Sequence, residues 1–372
     1  MKFFAFVYSA FLRRILFLFD PERVHDWTLG FGYWLGKYRW TRFLCGWLFD
    51  FEDSTLRQNI KGIEFKNPVG LAAGFDKNGD LFGILPSVGF GFAQVGTVTH
   101  KSYEGNTKPR LYRLPKSKSL MVNFGLKNDG VIKIVERVKK SRSESKIDEF
   151  PVSVSIGKTN SKETCTTESG TADYVACMRE VMQSNVADFY TINISCPNTF
   201  GGEPFTTSEK LEYLLKGIYE LHPDKPVFLK MPINLEWENF KKLLDIAVGF
   251  DVDGVIIGNL NKDRNDSMVF DNIPESIKGA MSGIPTKKLS DELISKTYKD
   301  YGKKLVIVGV GGIFSAEDAY EKIKRGASLV QLITGMIYRG PQLIGEINRE
   351  LVKLARKDGY SNIGDAVGMY YS

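Results

Sequence analysis

From residue 68 onward, eight short apolar runs return at intervals, and few folds accommodate that rhythm. They are "PVGLAAG" (68–74), "GFAQVGTVT" (91–99), "PVSVSIG" (151–157), "DFYTINIS" (188–195), "PVFLKM" (226–231), "GVIIGN" (254–259), "KLVIVGVGG" (304–312) and "LVQLITG" (329–335). Most are continuously apolar rather than alternating, as parallel strands buried on both faces are. Helix-like segments separate them, among them "TSEKLEYLLKGIYEL" (207–221), "ENFKKLLDIAV" (238–248) and "SAEDAYEKIKRG" (315–326). The last opens on Ser315 as a helix N-cap and closes on Gly326. Eight strand–helix units predict an α/β fold, a (β/α)8 barrel, which typically takes about 250 residues. A doubly wound sheet would carry a glycine fingerprint after its first strand. The run "GFGYWLG" (30–36) follows no strand and does not qualify.

The expected organisation is a helical extension over residues 1–53 and a barrel over 54–372. "LRQNIKGIEFKN" (56–67) reads as a hairpin closing the barrel floor. "SKSLMVNFGLKNDG" (117–130) and "SGIPTKKLS" (282–290) read as long loops on the opposite face, and "RVKKSRSESK" (137–146) as a solvated helix end and loop.

Composition excludes several classes. Fifty Lys and Arg against 44 Asp and Glu give +6, without the dense basic block of a nucleic-acid binder. Four cysteines without a CxxC pair fit a reducing compartment, and three scattered histidines offer no metal site. The stretch "FFAFVYSAFLRRILFLFD" (3–20) is apolar, but Arg13 and Arg14 at its centre disfavour a membrane span. The aromatics of "DWTLGFGYWLGKYRWTRFLCGWLF" (26–49) fit short helices lying at a membrane–water boundary. A cap burying those rings against the rest of the protein fits equally well.

In such barrels the working residues stand at the carboxyl ends of the strands. Lys77 and Lys230 end two of them, and a lysine in an apolar mouth is costly unless it faces an anion or an electron-rich ring. "GVGGI" (309–313) and "ITGM" (333–336) close strands seven and eight, where glycine turns free backbone N–H groups to cradle a phosphate. A phosphate-bearing ligand is therefore expected.

Taken together, "NPVGLAAGFDKNG", "QVGTVT", "GNTKPRLYRL", "IGK", "INISCPNT", "VGVGGI" and "GASLVQLITG" resemble the dihydroorotate dehydrogenase family. The resemblance runs from about Asp20 to Pro341. It implies an FMN-dependent barrel that oxidises dihydroorotate to orotate in pyrimidine synthesis. "DPERVHDW" (20–27) resembles the quinone-linked class 2 branch, in which a helical extension delivers quinone to the flavin. That implies peripheral association with a membrane, at the cytoplasmic face of the inner membrane if the source is bacterial.

By this resemblance Ala73, Gly74, Lys77, Thr97, Ser155, Asn193, Lys230, Gly258, Gly283, Gly312, Ile333 and Thr334 contact FMN. Lys77, Asn123, Phe124, Gly125, Leu126, Asn193, Asn198 and Asn259 hold the substrate. His25 and Arg113 match polar positions along the quinone path. Four positions depart from class 2. Val122 stands where an asparagine is expected, Ser155 replaces another, and Ile333 replaces a tyrosine. Cys196 stands where class 2 has serine; cysteine marks the soluble class 1 enzymes. A soluble enzyme using fumarate or another acceptor is the alternative that Cys196 and Ile333 favour.

The reaction removes a proton from C5 and a hydride from C6, so a positioned base is required. A thiol ionises near about 8.5, far closer to neutrality than a hydroxyl, which makes Cys196 the expected base. Neighbouring lysines are expected to lower that value further.

Overall fold

The computed structural model describes residues 2–145, 147 and 149–371. All eight apolar runs become strands of one closed parallel barrel: β1 (Val69–Leu71), β2 (Phe92–Val98), β3 (Val152–Ile156), β4 (Phe189–Asn193), β5 (Val227–Met231), β6 (Gly254–Ile257), β7 (Val306–Val310) and β8 (Leu329–Leu332). They follow one another around the ring in chain order, and β8 pairs with β1 through Gln331 opposite Gly70. Both faces of these strands are buried, which is why their sequences lack alternation.

The predicted hairpin forms, Gln58–Ile60 against Ile63–Phe65, and lies across the amino-terminal end of the barrel. Phe65 meets Phe92 edge-on at 5.3 Å, and Phe189 and Phe228 complete an aromatic plug at 5.2 Å from each other. One end of the barrel is thereby sealed, leaving the carboxyl ends of the strands as the open mouth.

Three expectations about connections change. The 117–130 segment begins as a strand, Ser119–Val122, sandwiched between Leu111–Leu114 and Ala280–Met281 in a small antiparallel sheet. The 282–290 segment holds a single helical turn, Ile284–Thr286, before the helix Lys287–Tyr301. The polar 137–146 run belongs almost wholly to the helix Val131–Ser145. Its arginines are not simply solvated: Arg137 pairs with Asp129 at 2.8 Å, and Arg142 pairs with Asp188.

The extension packs on the barrel rather than standing apart. Helix α1 (Pro21–Lys37) is N-capped by Asp20, whose carboxylate accepts from the Arg23 N–H at 2.9 Å. A Cβ on Gly36 would stand 3.0 Å from backbone of Gly83, so glycine there permits helix and barrel loop to touch. Helix α2 (Arg39–Phe49) buries Cys45 and Phe49. The preceding segment is fastened to the short helix Thr334–Arg339 that follows β8: Tyr8 donates to the Ile337 carbonyl at 2.7 Å and Arg13 to the Tyr338 carbonyl at 3.0 Å. Many of the extension's rings nevertheless face outward, Trp40, Phe43 and Trp47 being 62%, 76% and 75% exposed. Among the described residues, no helix is long and apolar enough to cross a membrane.

Candidate active site

A cleft opens at the barrel mouth, roofed by the small sheet and walled on one side by α1. Most of the residues singled out by sequence line it. Ala73, Gly74 and Lys77 come from the β1 end, Thr97 from β2, Asn193, Cys196 and Asn198 from β4, and Lys230 from β5. Gly258 and Asn259 follow β6; Gly283 lies beyond them, Gly312 follows β7, and Ile333 and Thr334 follow β8. Phe124, Gly125 and Leu126 descend from the roof, and His25 reaches in from the extension.

Three predicted residues do not line the cleft. Ser155 is fully buried, its hydroxyl 2.9 Å from that of Thr97. Asn123 turns away, its Oδ1 accepting from Asn106 Nδ2 at 3.0 Å, while Val122 takes the wall position. Arg113 donates to the carbonyls of Leu16, Phe17 and Phe19 and lies 4.5 Å over the Phe17 ring. It fastens the extension's first segment to the roof. Sequence reasoning also missed wall residues: Leu120, Ser282 and Thr286 belong to segments already assigned to this face, whereas Leu111 lies on a roof strand too short to show periodicity.

The two lysines have unlike surroundings. Lys77 sits 3.4 Å from His25 Nε2 and 4.0 Å from the Phe124 ring centre. Burial, reinforced by repulsion from Lys127, lowers its pKa to about 8. Lys230 is buried with no hydrogen-bond or ion-pair partner among the described residues, and burial brings it to about 8 as well. An orphaned ammonium in a cleft is a place prepared for an electron-rich or anionic ligand. Burial, then Lys77, also pushes the pKa of His25 down, leaving a neutral ring beside the Phe75 carbonyl at 2.9 Å.

The far side of the mouth is built for close backbone approach. Gly283, Gly311 and Gly312 have φ of 75°, 109° and 69°, a region that favours glycine. A Cβ at Gly335 would fall 2.0 Å from the Ile313 carbonyl oxygen, so the turns after β7 and β8 can only be made this tight without side chains. These turns and the two lysines fit a flavin phosphate and ring.

Around Cys196 the strand end is fixed by its neighbours. Asn193 Oδ1 accepts from the Ser195 N–H and hydroxyl at 3.1 and 2.9 Å, and its Nδ2 donates to Thr97 at 2.8 Å. Asn259 Nδ2 donates to the Ser195 carbonyl and hydroxyl, both at 2.7 Å. Lys230 and Lys158 draw the thiol down as expected, but burial outweighs them. Burial raises Cys196 to about 11, more than the Asn198 N–H, Lys230 and Lys158 draw it down, and Glu203 adds to the rise.

Comparison with known proteins accords with this geometry. The dihydroorotate dehydrogenase family profile matches residues 55–354. A Crocosphaera subtropica protein named dihydroorotate dehydrogenase (quinone) is 37% identical over 365 residues, covering 95% of each chain. The chain belongs to the dihydroorotate dehydrogenase family. A Nautilia profundicola dihydroorotate dehydrogenase (quinone) is 38% identical over 86% of this chain and 84% of its own. Crystal structures of Eimeria tenella DHODH agree across the whole fold. The ferulenol complex has a TM-score of 0.83 at 30% identity, covering 95% of this chain and 96% of that one. The ligand-free form has 0.82 at 31%, covering 95% and 100%. Membership makes this chain a flavin-dependent oxidoreductase.

Proposed function

We propose that this protein oxidises dihydroorotate to orotate on FMN and passes the electrons to a membrane quinone. The observation that carries the reading is the meeting, in one cleft, of Cys196, two buried lysines and the wall supplied by the extension through His25. Gly283, Gly312 and Thr334 would hold the FMN phosphate, and Lys77 and Lys230 its ring. Bound there, FMN would supply the acceptor for the C6 hydride and the carrier of electrons to the quinone. The chain's own part is to bind, orient and deprotonate. Lys77 opposes the substrate carboxylate, and Asn193, Asn198 and Asn259 offer amides to its polar groups. Cys196 takes the C5 proton as a thiolate, its sulfur facing the Asn198 N–H that stabilises that form. The outward rings of α2 rest on the membrane surface, so quinone enters beside the extension.

The test is turnover of the purified, detergent-extracted protein with dihydroorotate and either a quinone or fumarate. We expect a yellow protein carrying non-covalent FMN and turning over with quinone only. Turnover with fumarate in place of quinone would establish the soluble reading that Cys196 and Ile333 favour, and no turnover with either would overturn both.

A further inference from the structure

One acid of the extension has no part in the chemistry above, yet it is buried. Glu22, in the first turn of α1, is 5% exposed and faces three cations of the roof segment. Its carboxylate lies 3.0 Å from Arg110, 3.3 Å from Lys127 and 4.0 Å from Lys108. Removing one side of such a cluster leaves uncompensated buried charge, so its members must move together.

The cluster continues inward through direct hydrogen bonds. Arg110 Nε donates to the Asn106 carbonyl. The Asn106 side chain donates to the Asn198 carbonyl at 2.9 Å, while its Oδ1 accepts from Tyr103 at 2.7 Å and Asn160 at 3.2 Å. Asn198 in turn donates to the Val122 carbonyl at 2.8 Å and directs its backbone N–H at the Cys196 sulfur. Gly125 is shaped by the same hub, since a Cβ there would stand 2.4 Å from Asn106 Oδ1.

We infer that Glu22 is a positioning residue for the substrate half of the reaction, holding the Cys196 loop in register through Arg110 and Asn106. The extension then does more than admit quinone: its seating sets the geometry in which the thiol meets C5. This rests on the proposed dihydroorotate chemistry, and the wild-type protein controls for that reading.

The experiment is anaerobic single-turnover reduction of the holoenzyme's flavin by dihydroorotate, with no quinone present. Glu22→Gln is expected to slow reduction about tenfold, since small misplacements of a reacting group cost one to two orders of magnitude. Asn106→Ala should do the same, the double variant should be no slower than the slower single, and Glu22→Asp should recover most of the rate. Arg110→Lys keeps a charge facing Glu22 but loses the Nε–H to Asn106. It must show the same loss, so an insoluble Glu22→Gln protein still leaves a decisive variant. Alkylation of Cys196 by iodoacetamide, mapped by peptide mass because the exposed Cys165 reacts too, should quicken in each slow variant. Wild-type rates in Glu22→Gln or Arg110→Lys, or losses that multiply in the double variant, would overturn the inference. A wild-type flavin that dihydroorotate cannot reduce would instead bring down the functional reading beneath it.

Discussion

Cys196→Ala should slow flavin reduction by dihydroorotate about 10²- to 10⁴-fold, the usual worth of a positioned base, while leaving orotate binding nearly unchanged. Cys196 lines the cleft, but its neighbours are held without it: Asn193 and Asn259 both grip Ser195, and Asn198 is tied to Val122. Removing the sulfur therefore subtracts the proton acceptor and little else. The check is stopped-flow reduction beside an orotate titration. Weakened binding with a near-normal rate would assign the thiol to packing.

The second large effect concerns the membrane. Trp40, Phe43 and Trp47 bury little against the protein, so their replacement by serine should spare folding and flavin content. At about 1 kcal/mol of interfacial burial for each ring, the triple variant should bind vesicles roughly a hundredfold more weakly. Its turnover with vesicle-borne quinone should fall in parallel, while turnover with a short-chain, water-soluble quinone holds. Sedimentation with vesicles measures the first, and equal binding by both proteins would place the membrane contact elsewhere.

The barrel was legible because its physics is local. A parallel strand covered on both faces must be apolar along its whole length, so 226–231 and 254–259 announce β5 and β6 without any knowledge of their partners. The roof was not legible, since strands of two to four residues such as Ala280–Met281 carry no period. Nor was the helix through 137–145, whose arginines are neutralised by Asp129 and Asp188, residues that only the fold brings near.

Within the site, residue types were readable from strand-end position, but their commitments were not. Arg113 and Asn123 look available in sequence, yet each is engaged away from the cleft. The thiol shows the same limit. A sequence reveals lysines that attract its ionised form, whereas the burial that outweighs them is set by the whole barrel mouth.

That balance gives the most direct measurement of whether Cys196 is the base. Only the thiolate accepts a proton, and with the thiol pushed up to about 11 its fraction grows tenfold with each pH unit below that point. Flavin reduction at saturating dihydroorotate should therefore climb about tenfold per pH unit from pH 6 to 10, levelling only near 11. Saturation keeps the neutralisation of Lys77 above about 8 from entering as a loss of binding. Cys196→Ser should lie far below this line and still be rising at the highest pH. A wild-type rate that is flat across this range, or that falls as pH rises, would contradict the thiolate mechanism.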